Sequence, residues 1–182
     1  DANRDGLALG EGAAVLTLET LDLAEKRGAR ILAEIVGYGA ATDCHHLTQP
    51  QPDGDAALAS MAAAAQCANV APNQIGYINA HGTGTPLNDA AEAAAINRWA
   101  GNNAPRIPVS STKSGIGHTL GAAGAIETVV CIMALQEQFL PPTSTLQTKD
   151  PNCNFPVVSQ PASATLDYAM TNSFGFGGAN AT

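Results

Sequence analysis

Apolar and polar positions alternate between strand-like and helix-like patterning along the chain. Leu7 to Leu18 reads as a strand pair interrupted by Gly10-Glu11-Gly12, with Ala13 to Leu18 its β-like apolar portion. Thr20 can cap a short helix through Arg27, which Gly28 ends. Ile31 to Ala41 is rich in branched residues and glycine and predicts a strand. Gly54 to Asn69 is an alanine-rich helix stopped near Pro72, and Ile75 to Ala80 is a short buried strand. Asn88–Asp89 opens a helix to Trp99, with Glu92 three residues after Asp89 as in a capping box. Ile107 to Ser110 predicts another strand.

A glycine-bearing turn, KSGIGH, leads into a long helix from Thr119 to Gln138, which Pro141–Pro142 stops. Its first turns are nearly all small residues, which suits packing against backbone. Pro151 to Pro161 reads as irregular. Tyr168 to Ser173 predicts a strand, and Phe174-Gly-Phe-Gly-Gly a tight turn into a further strand at Ala179. Strands alternating with helices indicate a single α/β layered domain over residues 1–182 with a mostly buried sheet. The short last strand, stopping at Thr182, is expected of a fragment.

Composition narrows the function classes. A formal charge of −8 and a pI near 4.7 argue against nucleic acid or an anionic membrane as the main partner. The longest apolar candidate, Ala122 to Leu135, is interrupted by Glu127, so no membrane span is expected. Asp1, Arg4 and Asp5 do not resemble a signal peptide, and a cytoplasmic location is expected. Cys44, Cys67, Cys131 and Cys153 form no disulfide framework and read as free core thiols. Three consecutive side chains, Cys44-His45-His46, do not converge easily on one ion, so no metal is expected.

Three segments could carry chemistry. His81 follows the Ile75–Ala80 strand and opens the loop His81-Gly-Thr-Gly-Thr-Pro. Ligands in α/β sheets sit beyond strand carboxyl ends, where this loop lies, and Thr83 and Thr85 offer hydroxyls at alternate positions. A strand-ending turn with a surface histidine explains His81 equally well. His118 lies at the predicted start of the long helix, which together with Lys113 should keep its imidazole neutral. A neutral imidazole can donate to an oxygen gaining negative charge, although capping or packing would also account for it. The glycines of Phe174-Gly-Phe-Gly-Gly could expose N–H groups to an oxyanion, or simply turn a corner. Asp89 and Glu92 look like a carboxylate pair, but helix capping explains them.

In combination, NAHGTGTPLNDAAE (79–92), SSTKSGIGHTLGAAGA (110–125) and TNSFGFGGAN (171–180) resemble the β-ketoacyl-acyl-carrier-protein synthases, decarboxylating condensing enzymes of the thiolase-like superfamily. RDGLALGEGAAVLTLE (4–19) resembles the segment that begins that family's second half. The resemblance implies a thiolase-like α/β/α sandwich of two similar halves, of which this chain is the C-terminal one. It implies that the nucleophilic cysteine lies in the N-terminal half, and none of the four cysteines here matches its context. By position, His81 and His118 match the histidines that bind the thioester carbonyl of malonyl-carrier protein and support loss of CO₂. Lys113 matches a lysine tuning the second histidine, here expected to be ion-paired with Glu92. Glu127 falls on a commonly acidic position.

Thr83 and Thr85 match threonines that hydrogen-bond the phosphopantetheine arm, and Phe176 matches a gating phenylalanine whose N–H shares the oxyanion hole. The implied partners are acyl carrier protein, the cysteine-bearing half, and a second copy in a dimer. No resident cofactor is implied. Thiolases, which place a second cysteine in the C-terminal glycine turn, fit less well because that turn has none. A non-catalytic chain-length-factor-like subunit is the alternative from another class, but such subunits typically lose the histidines kept here.

Overall fold

A computed structural model describes residues 1–182. Helix α1 spans Leu21–Lys26, strand β1 Ala40–Thr42, helix α2 Asp55–Ala68, strand β2 Ile75–Asn79 and helix α3 Pro86–Ala100. Strand β3 spans Val109–Ser110, helix α4 Lys113–Ile116, helix α5 Ala123–Glu137, strand β4 Phe139–Leu140 and strand β5 Ala162–Ser163. Strands β6 Tyr168–Thr171, β7 Ser173–Gly175 and β8 Ala179–Ala181 complete the chain.

The central sheet runs β3-β2-β6 with all neighbours parallel. Its middle strand is buried on both faces, and side-chain alternation sends successive residues to opposite layers. Ile78 joins a core of 16 buried residues with Met61 of α2, Ile96 of α3, Ile107 and Phe155. Tyr77 joins a smaller cluster with Cys131 and Ala134 of α5, Leu140 and Leu166. Helices thus cover both faces of the sheet in an α/β/α arrangement, each buried aliphatic side chain contributing about 1.5–3 kcal/mol. A second sheet, β1-β8-β7, is antiparallel and carries the C-terminal turn.

The predicted strands from Ile75 and Tyr168 and the helices near 21–27, 54–69 and 119–138 are present, the last beginning at Ala123 after a 3-10 turn. Helix α3 begins at Pro86 rather than Asn88, because proline's fixed φ suits the first helical position. Two strand expectations fail. Residues 7–18 have no ladder beyond a single parallel bridge from Leu9 to His118, and of Ile31–Ala41 only the end joins β1. Apolar alternation makes a strand only where an edge exists to pair with, and these segments meet one only around Leu9 and from Gly39 onward. The cysteines are all free, but Cys44 and Cys67 are exposed rather than in the core.

The 18 residues Leu120–Glu137 match a bilayer span by length and composition only, and Glu127 interrupts them as expected. Glu127 itself is 1% exposed and ion-paired to Lys113, an arrangement made by packing against protein.

Candidate active site

The parallel sheet delivers His81 to the site. Strand β2 ends at Asn79, and His81 emerges two residues later, 6% exposed. Its backbone is anchored by a carboxylate: the N–H groups of His81 and Gly82 donate to Oε1 and Oε2 of Glu92 at 2.9 and 2.7 Å. The Ser111 hydroxyl donates to the Gly82 carbonyl at 2.6 Å, tying the loop to the end of β3.

His118 approaches from the neighbouring connection. Its N–H donates to the Ala8 carbonyl at 2.7 Å, and its own carbonyl accepts from the Gly10 N–H at 3.0 Å. Gly117 permits this approach with φ +75°, where a Cβ would lie 2.8 Å from the Gly10 backbone. The two imidazoles meet edge to face, centroids 5.4 Å apart at 83°. Phe174 also packs against His81, centroids 5.6 Å apart at 54°.

Both rings are held neutral. Burial, then Lys113, then His118 push the His81 pKa down to about 3. Partial burial and Lys113 lower that of His118. The N–H of Leu120 donates into Nδ1 of His118 at 3.2 Å, which leaves Nε2 as the protonated nitrogen. Lys113 acts as expected, but burial takes the place of the expected helix N-terminus, because α5 begins only at Ala123.

Lys113 is buried and ion-pairs with Glu127 of α5, not with Glu92 as expected. The helical turn of α4 points the ammonium toward α5, whereas Glu92 is occupied by backbone amides. Burial raises the Glu127 carboxyl to about 7 against the opposing pull of Lys113. Nor do Asp89 and Glu92 cap their helix: Glu92 serves the His81 loop, and Asp89 accepts the Gly84 N–H at 3.1 Å. Arg4 reaches the same loop, bonding the Pro86 carbonyl and Asp150 and lying near Asp89.

Thr83 and Thr85 share a hydrogen bond of 2.9 Å at the rim, beyond His81. Phe176 sits 79% exposed on a 3-10 turn. That turn is pinned by the Gly177 N–H donating to Leu47 and the Asp43 N–H donating to Gly178, each at 2.7 Å. No three His, Cys, Asp or Glu side chains anywhere are grouped to hold a metal ion.

Residues 32–147 match the family model of the beta-ketoacyl synthase C-terminal domain. The chain belongs to the beta-ketoacyl synthase family. Among curated relatives it is 47% identical to a 3-oxoacyl-(acyl-carrier-protein) synthase 2 of Synechocystis sp. and 46% identical to one of Coxiella burnetii, over 100% of this chain and 44% of each relative. This beta-ketoacyl synthase chain therefore spans under half the length of those relatives. A crystal structure of a beta-ketoacyl synthase from Burkholderia phymatum superposes with a TM-score of 0.90 at 42% identity, covering 100% of this chain and 44% of that one. A type II polyketide ketosynthase, solved in complex with its acyl-carrier protein and bound to the hexaketide, superposes at 0.94 with 37% identity, covering 98% and 44%. These neighbours show the thiolase-like ketosynthase fold.

Within this family framework, sequence reasoning missed three contributors. Phe174 was visible only as a core residue, Asp89 only as a cap, and Asn172, fully buried beside Glu92, carried no signal of its own. Their roles arise from contacts 80 or more residues apart in the cases of Asn172 with Glu92 and Phe174 with His81, which local patterning does not encode.

Proposed function

We propose that this chain is the C-terminal catalytic half of a beta-ketoacyl synthase, a single unit over residues 1–182 whose nucleophilic cysteine is supplied by an N-terminal half. The observation that carries the reading is the pair of neutral, edge-to-face imidazoles of His81 and His118 beside a buried Lys113–Glu127 ion pair.

In this reading the Nε2–H of His118 and a ring N–H of His81 donate to the thioester carbonyl of malonyl-carrier protein. As the carboxylate leaves as CO₂, the electron pair of the broken C–C bond becomes an enolate whose oxygen those donors hold. The enolate carbon attacks the acyl-cysteine carbonyl, and collapse of that intermediate expels the cysteine thiolate. Neutral imidazoles suit the task, because a group already charged would stabilise the ground state as well. Lys113 tunes both rings electrostatically. Thr83 and Thr85 hold the phosphopantetheine arm, and the Phe176 N–H completes the oxyanion hole opposite the cysteine.

The partners are acyl carrier protein, the cysteine-bearing half and a second copy in a cytoplasmic dimer, working in fatty acid or polyketide-type synthesis. Apolar surface supports a covering half: Val15 is 93% exposed, Ile35 64% and Met133 51%. The test is reconstitution. The chain alone should form no carbon–carbon bond, and adding a cysteine-bearing half should restore condensation of malonyl- with acyl-carrier protein. Condensation by the chain alone, or its survival in a His81→Ala/His118→Ala variant, would refute the reading.

A further inference from the structure

Asn172 lies where the chain leaves β6 of the parallel sheet and enters β7 of the antiparallel one. Its backbone N–H donates to the Asn79 carbonyl at 3.0 Å, fixing it beside the end of β2. The side chain is fully buried, with Nδ2 3.1 Å from Oε1 of Glu92. Glu92 is buried as well and has no cation bonded to it; its two oxygens meet only N–H donors, from His81, Gly82 and Asn172. A carboxylate accepts and never donates, so the amide must present Nδ2 to it. The opposite end of the amide is settled too, since Oδ1 takes the Thr182 hydroxyl at 3.1 Å, and that hydroxyl meets Ser60 of α2 at 2.9 Å.

We infer that Asn172 is a positioning residue for the condensing site: its amide holds the Glu92 carboxylate in register with the His81 and Gly82 amides, and so sets where the His81 ring stands. This rests on the condensing reading above. An isolated buried carboxylate is costly, and each charge-assisted N–H bond that meets it restrains both partners. Two of the three such bonds to Glu92 run to the His81 loop, and the third comes from Asn172. The same residue begins the segment that carries Phe174 against the His81 ring. Asn172 therefore ties the ring's backbone support to its packing partner.

The charged and titratable groups around this cluster are Asp89 on α3, His81 itself, and the Lys113–Glu127 pair. In the complete synthase containing this chain, Asn172→Asp sets a second carboxyl against Oε1 of Glu92. While the two acids share one proton, an O–H···O contact replaces the amide's bond and the loop keeps its place. Once that proton leaves, repulsion drives Glu92 off the backbone amides. The expected result is a new alkaline limb in kcat that the wild-type enzyme lacks, a fall of at least about tenfold once the shared proton is lost and the histidine is misplaced. His81 is neutral above about 3 and adds no limb of its own there.

Asn172→Ala removes the donor without adding charge. It should lower kcat about equally at every pH and leave KM for malonyl-carrier protein within about threefold, the split expected when a transition-state contact is lost. Full kcat in Asn172→Ala overturns the inference whether or not Asn172→Asp folds, as does a wild-type profile in a folded Asn172→Asp enzyme. A wild-type synthase with no condensing activity refutes the functional reading instead, which keeps the two failures apart.

Discussion

His81 ties acid stability to the site it serves. Its folded pKa near 3 lies below the unfolded value of 6.5, so the unfolded state binds the extra proton first. Stability from this group is fully present above pH 6.5 and is lost as pH falls toward 3. Below that upper bound the loss is about 1.4 kcal/mol per pH unit. A His81→Asn variant should lack this slope, which urea titrations followed by Trp99 fluorescence at several pH values would show; parallel slopes would contradict it. Glu127 acts in the opposite sense. Its pKa rises from 4.5 to about 7, so its contribution is present below 4.5 and is lost as pH rises through 7. Glu127→Gln should flatten that part of the profile. Lys113→Ala removes the group that opposes burial at Glu127, so the carboxyl should hold its proton to higher pH and the loss on the alkaline side should deepen in the same titrations.

At the scale of elements, the turn after β7 depends on a backbone shape that only glycine adopts freely. Gly178 has φ +79°, and a Cβ there would run into the Asp43 carbonyl. Gly178→Ala should cost more than about 1 kcal/mol and loosen the pairing of the Asp43 and Phe176 segments. Faster hydrogen exchange at the Asp43 and Gly177 amides would register it, and unchanged protection would count against it. The elements that were legible in advance share a trait. Helix α2 buries Ala57, Met61 and Ala65 in the larger core, and strand β2 is an apolar run buried on both faces, patterns that residue type and spacing already carry. Residues 7–18 and 31–39 carry the same alternation but form no ladder beyond the Leu9–His118 bridge, because a strand needs a neighbour and periodicity names none.

Across the whole molecule, most of the large exposed hydrophobic side chains lie between Leu7 and Leu47, with Met133 the one on α5. The chain covers 44% of its curated relatives, and this face is where a further half would sit in the proposed synthase. Adding a cysteine-bearing half should protect the amides of 7–18 and 31–39 from exchange and raise the denaturation midpoint. Protection confined to other faces would place the contact elsewhere.

By itself the sequence determined the layered α/β class, the order of the helices and the three glycine-bearing loops that hold His81, His118 and Phe176. Each is a local matter of residue type and spacing, which a chain carries whatever surrounds it. Only the tertiary structure decided who partners whom. It gave Lys113 to Glu127, turned Glu92 from a helix cap into the anchor of the His81 loop, and brought Asn172 to that anchor. The reason is distance along the chain: a buried charge takes whichever partner the packed layers bring within reach, and that depends on the whole fold at once.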